Sequence, residues 1–355
     1  MLYFLFLVLF STILISRTDD SKLKYVFAII VFALSMLSFF VEPTETWDLF
    51  RHYEKIMLYS DTGLDWVIEN RLDKNPLTEL FLYLFTYVPD HRLFAFCVIF
   101  ITYGFTFLLL YEARKDYCIS RSNMAWISFF LLSNWNYLLV VSNCRIFMLY
   151  AIVAYLFYME LVRDKYHKVA ITVYIASCFF HYGIMIVVAG RLALYFRRFL
   201  KNDTFIVLLS IIMVTGYSYL FSLLGSSVLT DILEEKIAFY QGYTVFGTWQ
   251  YLSSLSNIIL VFCLVLYVRR SFRVKDLFNL ISIITIVAIF LHVTNYQIII
   301  RETCLASLLA IIPSLDILEK SKSNILAVTF KLEAVIILLY RCWYEYSYLS
   351  FDFVI

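Results

Sequence analysis

Three arginines stand where a cation does nothing for membrane topology: Arg51, Arg145 and Arg301. Nineteen of the chain's 29 Lys and Arg fall in six short clusters between long apolar runs. They are Arg17/Lys22/Lys24, Arg114/Lys115/Arg121, Arg163/Lys165/Lys168, Arg191/Arg197/Arg198/Lys201, Arg269/Arg270/Arg273/Lys275 and Lys320/Lys322. Such clusters mark the cytoplasmic ends of membrane helices. Arg51, Arg145 and Arg301 lie at the other ends of their runs, on the expected outer side. An Arg fork there matches the oxygens of a phosphate bidentately. The plain alternative for each is an interfacial Arg whose stem lies along apolar surface.

The residues around these arginines sharpen the choice. The stretch 46–55 reads Thr-Trp-Asp-Leu-Phe-Arg-His-Tyr-Glu-Lys. If it is helical, Asp48, Arg51 and His52 share a face, since residues three and four apart are neighbours. Arg51 would then hold an anion while Asp48 contacts hydroxyls or a proton; an ordinary surface Asp–Arg pair is the other reading. Arg145 follows Ser142-Asn143-Cys144 and is expected to open a helix, whose free N–H groups and partial positive charge reinforce an anion site. Arg301 lies between Tyr296-Gln297-Ile-Ile-Ile and Glu302-Thr303, and Glu302 beside it is also placed to neutralise it. His181 sits in the apolar stretch Cys178-Phe-Phe-His-Tyr-Gly. An ionisable group at membrane depth is costly and points to function by default, although a neutral imidazole bonded to a neighbouring helix satisfies the same residue. His292 is intramembrane too and ranks lower; His167 and His91 attract no role. Tyr53, Trp47, Trp66, Trp135, Tyr137, Tyr240, Tyr243 and Trp249 are outer-side rings able to stack on sugar faces, while belts and packing account for most aromatic residues.

The elements that must position these residues are membrane helices. The chain has 355 residues, of which 62% are hydrophobic and 16% charged, and its mean hydropathy is +0.81. No water-soluble domain buries that much apolar area. The 8 Gly and 4 Pro leave little room for flexible linkers, and the net charge of +2 follows topology, so no nucleic-acid partner is implied. The seven Cys are scattered, with neither a CxxC pair nor metal-ligand spacing, and read as buried free thiols. There is no P-loop, GxGxxG, HExxH or Asp-rich nucleotide-sugar motif. No metal or cofactor is therefore expected.

Crossing the hydrocarbon core takes about 20 apolar residues in a helix. Candidate runs are roughly 2–16, 24–41, 92–111, 123–141, 145–161, 168–196, 204–224, 251–268, 277–296, 301–317 and 325–349, with an amphipathic segment at 77–88. The first lacks the basic flank and small-residue cleavage site of a signal peptide and is kept as a helix. The expected fold is all-α: one transmembrane domain over 1–355 with about 10–12 membrane helices. Placing the basic clusters inside puts the N-terminus outside, together with segments 42–90, 134–145, 225–250 and 293–301. Segment 42–90 carries nine acidic residues against four Lys/Arg between Glu42 and Glu79, the opposite of an inner loop. Segment 168–196 is basic at both ends yet too short for two crossings at ~1.5 Å per residue. It is either a short-helix or re-entrant hairpin turning near His181-Tyr182-Gly183, or one tilted helix.

Five features in this order resemble the EpsG/Wzy-type family of bacterial polysaccharide polymerases. They are Asp-x-x-Arg-His-Tyr (48–53), Asn-Pro-Leu-Thr-Glu-Leu-Phe (75–81) with the aromatic helix ending in Tyr111-Glu112, Asn-Cys-Arg-Ile-Phe (143–147), Phe-Phe-His-Tyr-Gly (179–183), and Arg301 ahead of a late helix. Gly183 stands where the family commonly has Ser after the histidine. The resemblance implies a metal-independent glycosyltransferase of the bacterial cytoplasmic membrane, its site facing the extracytoplasmic side. It would polymerise undecaprenyl-diphosphate-linked oligosaccharide units into capsule, O-antigen or exopolysaccharide. Arg51, Arg145, Arg301, Tyr53 and Asn143 would bind the lipid diphosphate and sugars, with His181 as base and Asp48 as orienter. Membrane lipid, a flippase and a chain-length regulator are the implied partners. A lipid-linked-sugar flippase, a polysaccharide-modifying acyltransferase and a non-catalytic assembly subunit remain as competing readings.

Overall fold

Apolar length sets most helix boundaries in this chain. A computed structural model describes residues 2–45, 47–71, 75–135, 137–184, 187–188, 190–191, 194, 275–292, 296–320, 328 and 330–340. Every element among them is helical. The helices are α1 (Leu2–Arg17), α2 (Leu23–Phe39), α3 (Asp48–Arg71), α4 (Pro76–Leu84), α5 (Leu93–Tyr117), α6 (Arg121–Asn134), α7 (Tyr137–Ser142), α8 (Cys144–Leu161), α9 (His167–Phe180), α10 (Lys275–His292) and α11 (Tyr296–Lys320). Single 3₁₀ turns occupy Phe85–Tyr87 and Tyr182–Ile184, and residues 330–340 are helical. α5 and α8 are long and apolar enough to cross a membrane; α1, α2, α9 and Asp276–Ile286 are apolar and shorter. The expected runs 204–224 and 251–268 and the loop 225–250, with Tyr240, Tyr243 and Trp249, lie outside the described residues.

The chain divides into two compact units. The first comprises Met1–Glu160, Tyr166–His181 and Ile311–Ile355. In it α2 packs along α5 and α1 along α6, α3 lies on α4, and α4 meets α9. Aromatic rings join these helices: Phe27 meets Phe107 with centroids 4.8 Å apart, and Phe4 stacks on Tyr137 at 5.0 Å. Phe130 meets Phe330 at 4.5 Å, which fastens the helical stretch 330–340 to α6. Trp135, Tyr103, Phe147 and Tyr150 are fully buried, whereas Phe6, Ile13, Ile29, Phe32 and Ile175 on α1, α2 and α9 face outward.

The α1–α2 and α5–α6 turns and the ends of α8, α9 and α11 gather at one end of this unit. Asp20, between α1 and α2, pairs with Arg114 at 2.5 Å, and Asp19 pairs with Arg121 at 3.0 Å. The Arg114 guanidinium also donates to the Ile119 carbonyl, closing the α5–α6 turn. The Glu319 carboxylate of α11 accepts from the Ser120 backbone N–H, and Asn123 donates to the Leu318 carbonyl at 3.3 Å. Tyr158 of α8 donates to Asp116 of α5 at 2.5 Å, and Tyr174 of α9 donates to the buried Glu160 at 3.0 Å. The cations at Arg17–Lys24, Arg114–Arg121 and Lys168, with the last turn of α11, thus border a common end. α5, α8 and α9 run from there to the other end, where α3, α4 and the residues of interest lie.

Several boundaries differ from those read from hydropathy, α5 for example running on to Tyr117 rather than ending near 111. The run 123–141 is broken at Trp135, whose backbone is extended. Ser133 and Asn134 precede the break, and the buried indole packs edge-on to Phe147 at 5.4 Å. The helix expected near 46–55 extends to Arg71, interrupted only at Gly63 (φ 83°, ψ 173°), a conformation essentially restricted to glycine. Arg301 does not precede its helix: α11 starts five residues earlier, because Tyr296–Ile300 continue the apolar pattern.

The second unit comprises Leu161–Lys165 and Tyr182–Ala310. Its described part holds the turn at Tyr182–Ile184, helical residues between 187 and 194, α10 and the first part of α11. Gly190 lies against α10, where a Cβ would stand 3.3 Å from Leu280 Cδ1.

Candidate functional site

The site is built on α3, whose residues 48, 51, 52, 55 and 59 recur at helical spacing. Asp48 opens the helix, where a carboxylate complements the partial positive charge of the N-terminus. Arg51, with a side chain 46% exposed, pairs with Asp48 at 3.3 Å. One step around the helix, His52 is only 3% exposed, and neither ring nitrogen has a hydrogen-bond partner among the described residues. Its ring meets the edge of Phe94 at 5.6 Å. Tyr53 is also buried, its ring at 4.5 Å from that of His91 and its hydroxyl without a hydrogen-bond partner among the described residues.

One turn further, Lys55 donates to Glu79 Oε1 at 2.6 Å, and Tyr59 donates to Oε2 of the same carboxylate. Glu79 belongs to α4, which begins with Pro76 at a position where a missing N–H costs nothing. Glu79 is a charge placed in an apolar helix, and it is buried. The preceding residue, Thr78, donates to the Phe180 carbonyl at 2.5 Å. That bond ties α4 to the last residue of α9, directly before His181, whose backbone is extended (φ −156°, ψ 118°). The helix therefore ends at the histidine, where the hairpin reading placed its turn.

Arg145 enters from α8. It is the second residue of that helix, as expected from Ser142-Asn143-Cys144, and is partly exposed. No carboxylate among the described residues is paired with it. Asn143 occupies the turn between α7 and α8 and directs its amide to Ser142 Oγ at 2.8 Å and to the Leu139 carbonyl. Its role in the structure is to hold this turn, and with it the start of α8.

Electrostatics shows that these groups converge. Burial, then Arg145, Lys55, Arg51 and His181 in that order, hold His52 well below its ordinary pKa. Burial likewise lowers Lys55 against the raising pull of Glu79, with Arg145 and Arg71 adding to the lowering. Burial, with Glu79 next, pushes Tyr59 upward. Burial is also the main cause of the upward shift of Tyr53, with Cys144, beside Arg145, the next. Asp48, too, acts on Cys144. The cluster accordingly holds Arg51, Arg145 and Lys55 against two carboxylates around a neutral imidazole, an arrangement that favours an anion.

Six of the seven residues singled out from sequence, Asp48, Arg51, Tyr53, Asn143, Arg145 and His181, belong to the first unit. Arg301 belongs to the second, where it is partly buried in α11. Lys55, Tyr59, Thr78 and Glu79 were not singled out. The face formed by His52, Lys55 and Tyr59 was legible in their spacing, as was a lone acid inside an apolar helix. Comparison of the chain with protein-family models, with curated proteins and with solved structures finds no match to any of them.

Proposed function

We propose that this chain is a polytopic membrane glycosyltransferase that extends a polysaccharide from polyprenyl-diphosphate-linked repeat units on the extracytoplasmic side. The observation that carries this reading is Arg145, with no carboxylate partner among the described residues at the start of α8, joined by Arg51 and Lys55 about the buried His52. The reading is supported by the outward apolar residues of α1, α2 and α9, which suit lipid better than water. At ~1.5 Å per residue the 25 residues of α5 span about 37 Å, enough for a hydrocarbon core of about 30 Å. The cation-rich turns at one end of the first unit fit the cytoplasmic side, which leaves the Arg145 cluster outside.

In the proposed reaction an acceptor-sugar hydroxyl attacks the anomeric carbon of the donor. The bond from that carbon to the diphosphate oxygen breaks, and the lipid diphosphate leaves with the electron pair. Arg145 and Arg51 stabilise the negative charge that develops, and stabilisation of this preorganised kind is commonly the largest contribution to catalysis. His181 accepts the hydroxyl proton and Asp48 orients the acceptor. Asn143 keeps Arg145 in place, and Tyr53 offers a ring to a sugar. Full-length protein reconstituted with tagged repeat-unit lipid should yield a ladder of polymers. A change of sidedness without extension, added acyl mass, or unaltered lipid would replace this reading by a flippase, an acyltransferase or a scaffold respectively.

A further inference from the structure

We propose that His52 is a direct ligand of the anion bound by Arg145, donating a hydrogen bond to a phosphate or diphosphate oxygen and taking up a proton from solvent as the anion arrives. This deepens the polymerase reading and rests on it only for the source of the anion, a lipid headgroup rather than a free phosphate.

Three observations carry the assignment. His52 is 3% exposed, and both ring nitrogens lack a hydrogen-bond partner among the described residues. Leaving a buried polar atom unpaired costs about 1–3 kcal/mol, so such a pair of atoms calls for an explanation. Second, the charged and titratable groups that act on the imidazole all disfavour its protonation. Arg51 and Lys55 face it from α3, Arg145 from α8, and the imidazole of His181 from the end of α9, while α5 presents the ring of Phe94. Third, the local carboxylates are already engaged. Glu79 takes Lys55 and Tyr59, and Asp48 takes Arg51. Arg145 is therefore the cation left for an exogenous anion, and His52 is a buried donor on which its charge acts and which has no hydrogen-bond partner among the described residues.

The chemistry follows from the charges. Without a ligand, burial and three cations keep the ring neutral, with one N–H able to donate. A bound diphosphate introduces negative charge beside the ring and offsets those cations, which favours the imidazolium. The proton comes from bulk solvent, and the charged ring then makes the stronger, charge-assisted bond. Proton uptake and anion binding are thereby linked, and affinity rises as pH falls.

The test uses the full chain in nanodiscs and calorimetric titration with inorganic pyrophosphate in two buffers of different ionisation enthalpy. Wild type and His52→Gln are compared at the same pH, so that protonation of pyrophosphate itself cancels. The expected result is a larger proton uptake by wild type and an affinity about tenfold or more weaker in the variant. Equal uptake and equal affinity would overturn the assignment. Histidine-selective ¹⁵N NMR of the wild type provides a second readout, which does not depend on how tightly the variant binds. The resonances absent from His52→Gln should move on adding pyrophosphate, and their failure to move would likewise overturn it. Farnesyl diphosphate forms the second arm. Tighter binding than pyrophosphate identifies a lipid-linked source, and equal binding a free anion. If wild type binds in a His52-dependent manner yet makes no polymer, the polymerase reading falls and the anion site stands. If His52→Gln binds and polymerises normally, His52 is excluded and the polymerase reading stands.

Discussion

Breaking the Lys55–Glu79 pair from its two sides should cost different amounts. The Glu79 side chain is 4% exposed and that of Lys55 30%, so the carboxylate is the deeper partner. In Lys55→Met a buried carboxylate keeps only the Tyr59 hydroxyl. Removing one partner of a buried pair typically costs about 3–5 kcal/mol. The loss has a ceiling, because the stranded carboxylate can be protonated. For an ordinary Glu that takes about 3.7 kcal/mol at pH 7, so about 3–4 kcal/mol is expected. In Glu79→Gln the stranded ammonium still reaches solvent, and the amide continues to accept one hydrogen bond. The expected loss is smaller, about 2 kcal/mol. In a unit of this size each kcal/mol moves Tm by about 2–4 °C. Thermal scans in one detergent should therefore show Lys55→Met lower by about 6–16 °C and Glu79→Gln by about 4–8 °C. At pH 5 the ceiling for the stranded carboxylate drops to about 1 kcal/mol, so Lys55→Met should recover most of its loss. The double variant Lys55→Met/Glu79→Leu removes both charges and should be more stable than Lys55→Met alone. A greater loss in Glu79→Gln than in Lys55→Met, or no recovery of Lys55→Met at pH 5, would refute the reasoning.

Three further outcomes are expected. His52, neutral in the folded chain, makes stability fall with acid: the unfolded chain binds more protons between the depressed folded pKa and the ordinary value of 6.5. The loss from pH 7 to pH 5 reaches at most about 2 kcal/mol, and His52→Gln should flatten this part of the stability profile measured by denaturant titration. Gly63→Ala should cost about 1–3 kcal/mol for backbone conformation alone, since the added Cβ meets nothing within 4 Å; an unchanged Tm would contradict this. Thr78→Val removes the bond to the Phe180 carbonyl and should cost about 1 kcal/mol. It should also speed alkylation of a cysteine placed at position 181, relative to the same cysteine in the Thr78 background.

Helices α1, α2 and α8 were legible to within two residues, and α5 at its start though not at its end, because long apolar runs have few ways to satisfy their backbone other than as helices. The break at Trp135 was hidden: a Trp among apolar residues reads as continuation, and only its packing on Phe147 shows where the helix ends. Beyond residue 55, α3 is mixed in polarity and contains Gly63, so hydropathy reads it as loop. Arg145 at a helix start was visible in Ser142-Asn143-Cys144, and the interruption at His181 in the basic residues flanking 168–196. The Lys55–Glu79–Tyr59 cluster was not, because its members lie 20 and 24 residues apart. Their meeting depends on how α4 folds back on α3. His52 shares a face with Asp48 and Arg51 as expected, but burial gives it its character, and that burial comes with the packing of α3 on α5 through Phe94.

The central claim is that Arg145 binds the leaving diphosphate, and Arg145→Ala tests it most directly. Polymer length should be measured with purified protein and tagged repeat-unit lipid, with Arg145→Lys alongside and Lys275→Ala, in an expected inner cluster, as control. Loss of a preorganised charge at the leaving group should slow extension about 100-fold or more in Arg145→Ala. Lys should restore only part of it, because an ammonium lacks the planar fork. Lys275→Ala should extend normally. Full-length polymer from folded Arg145→Ala would contradict the account.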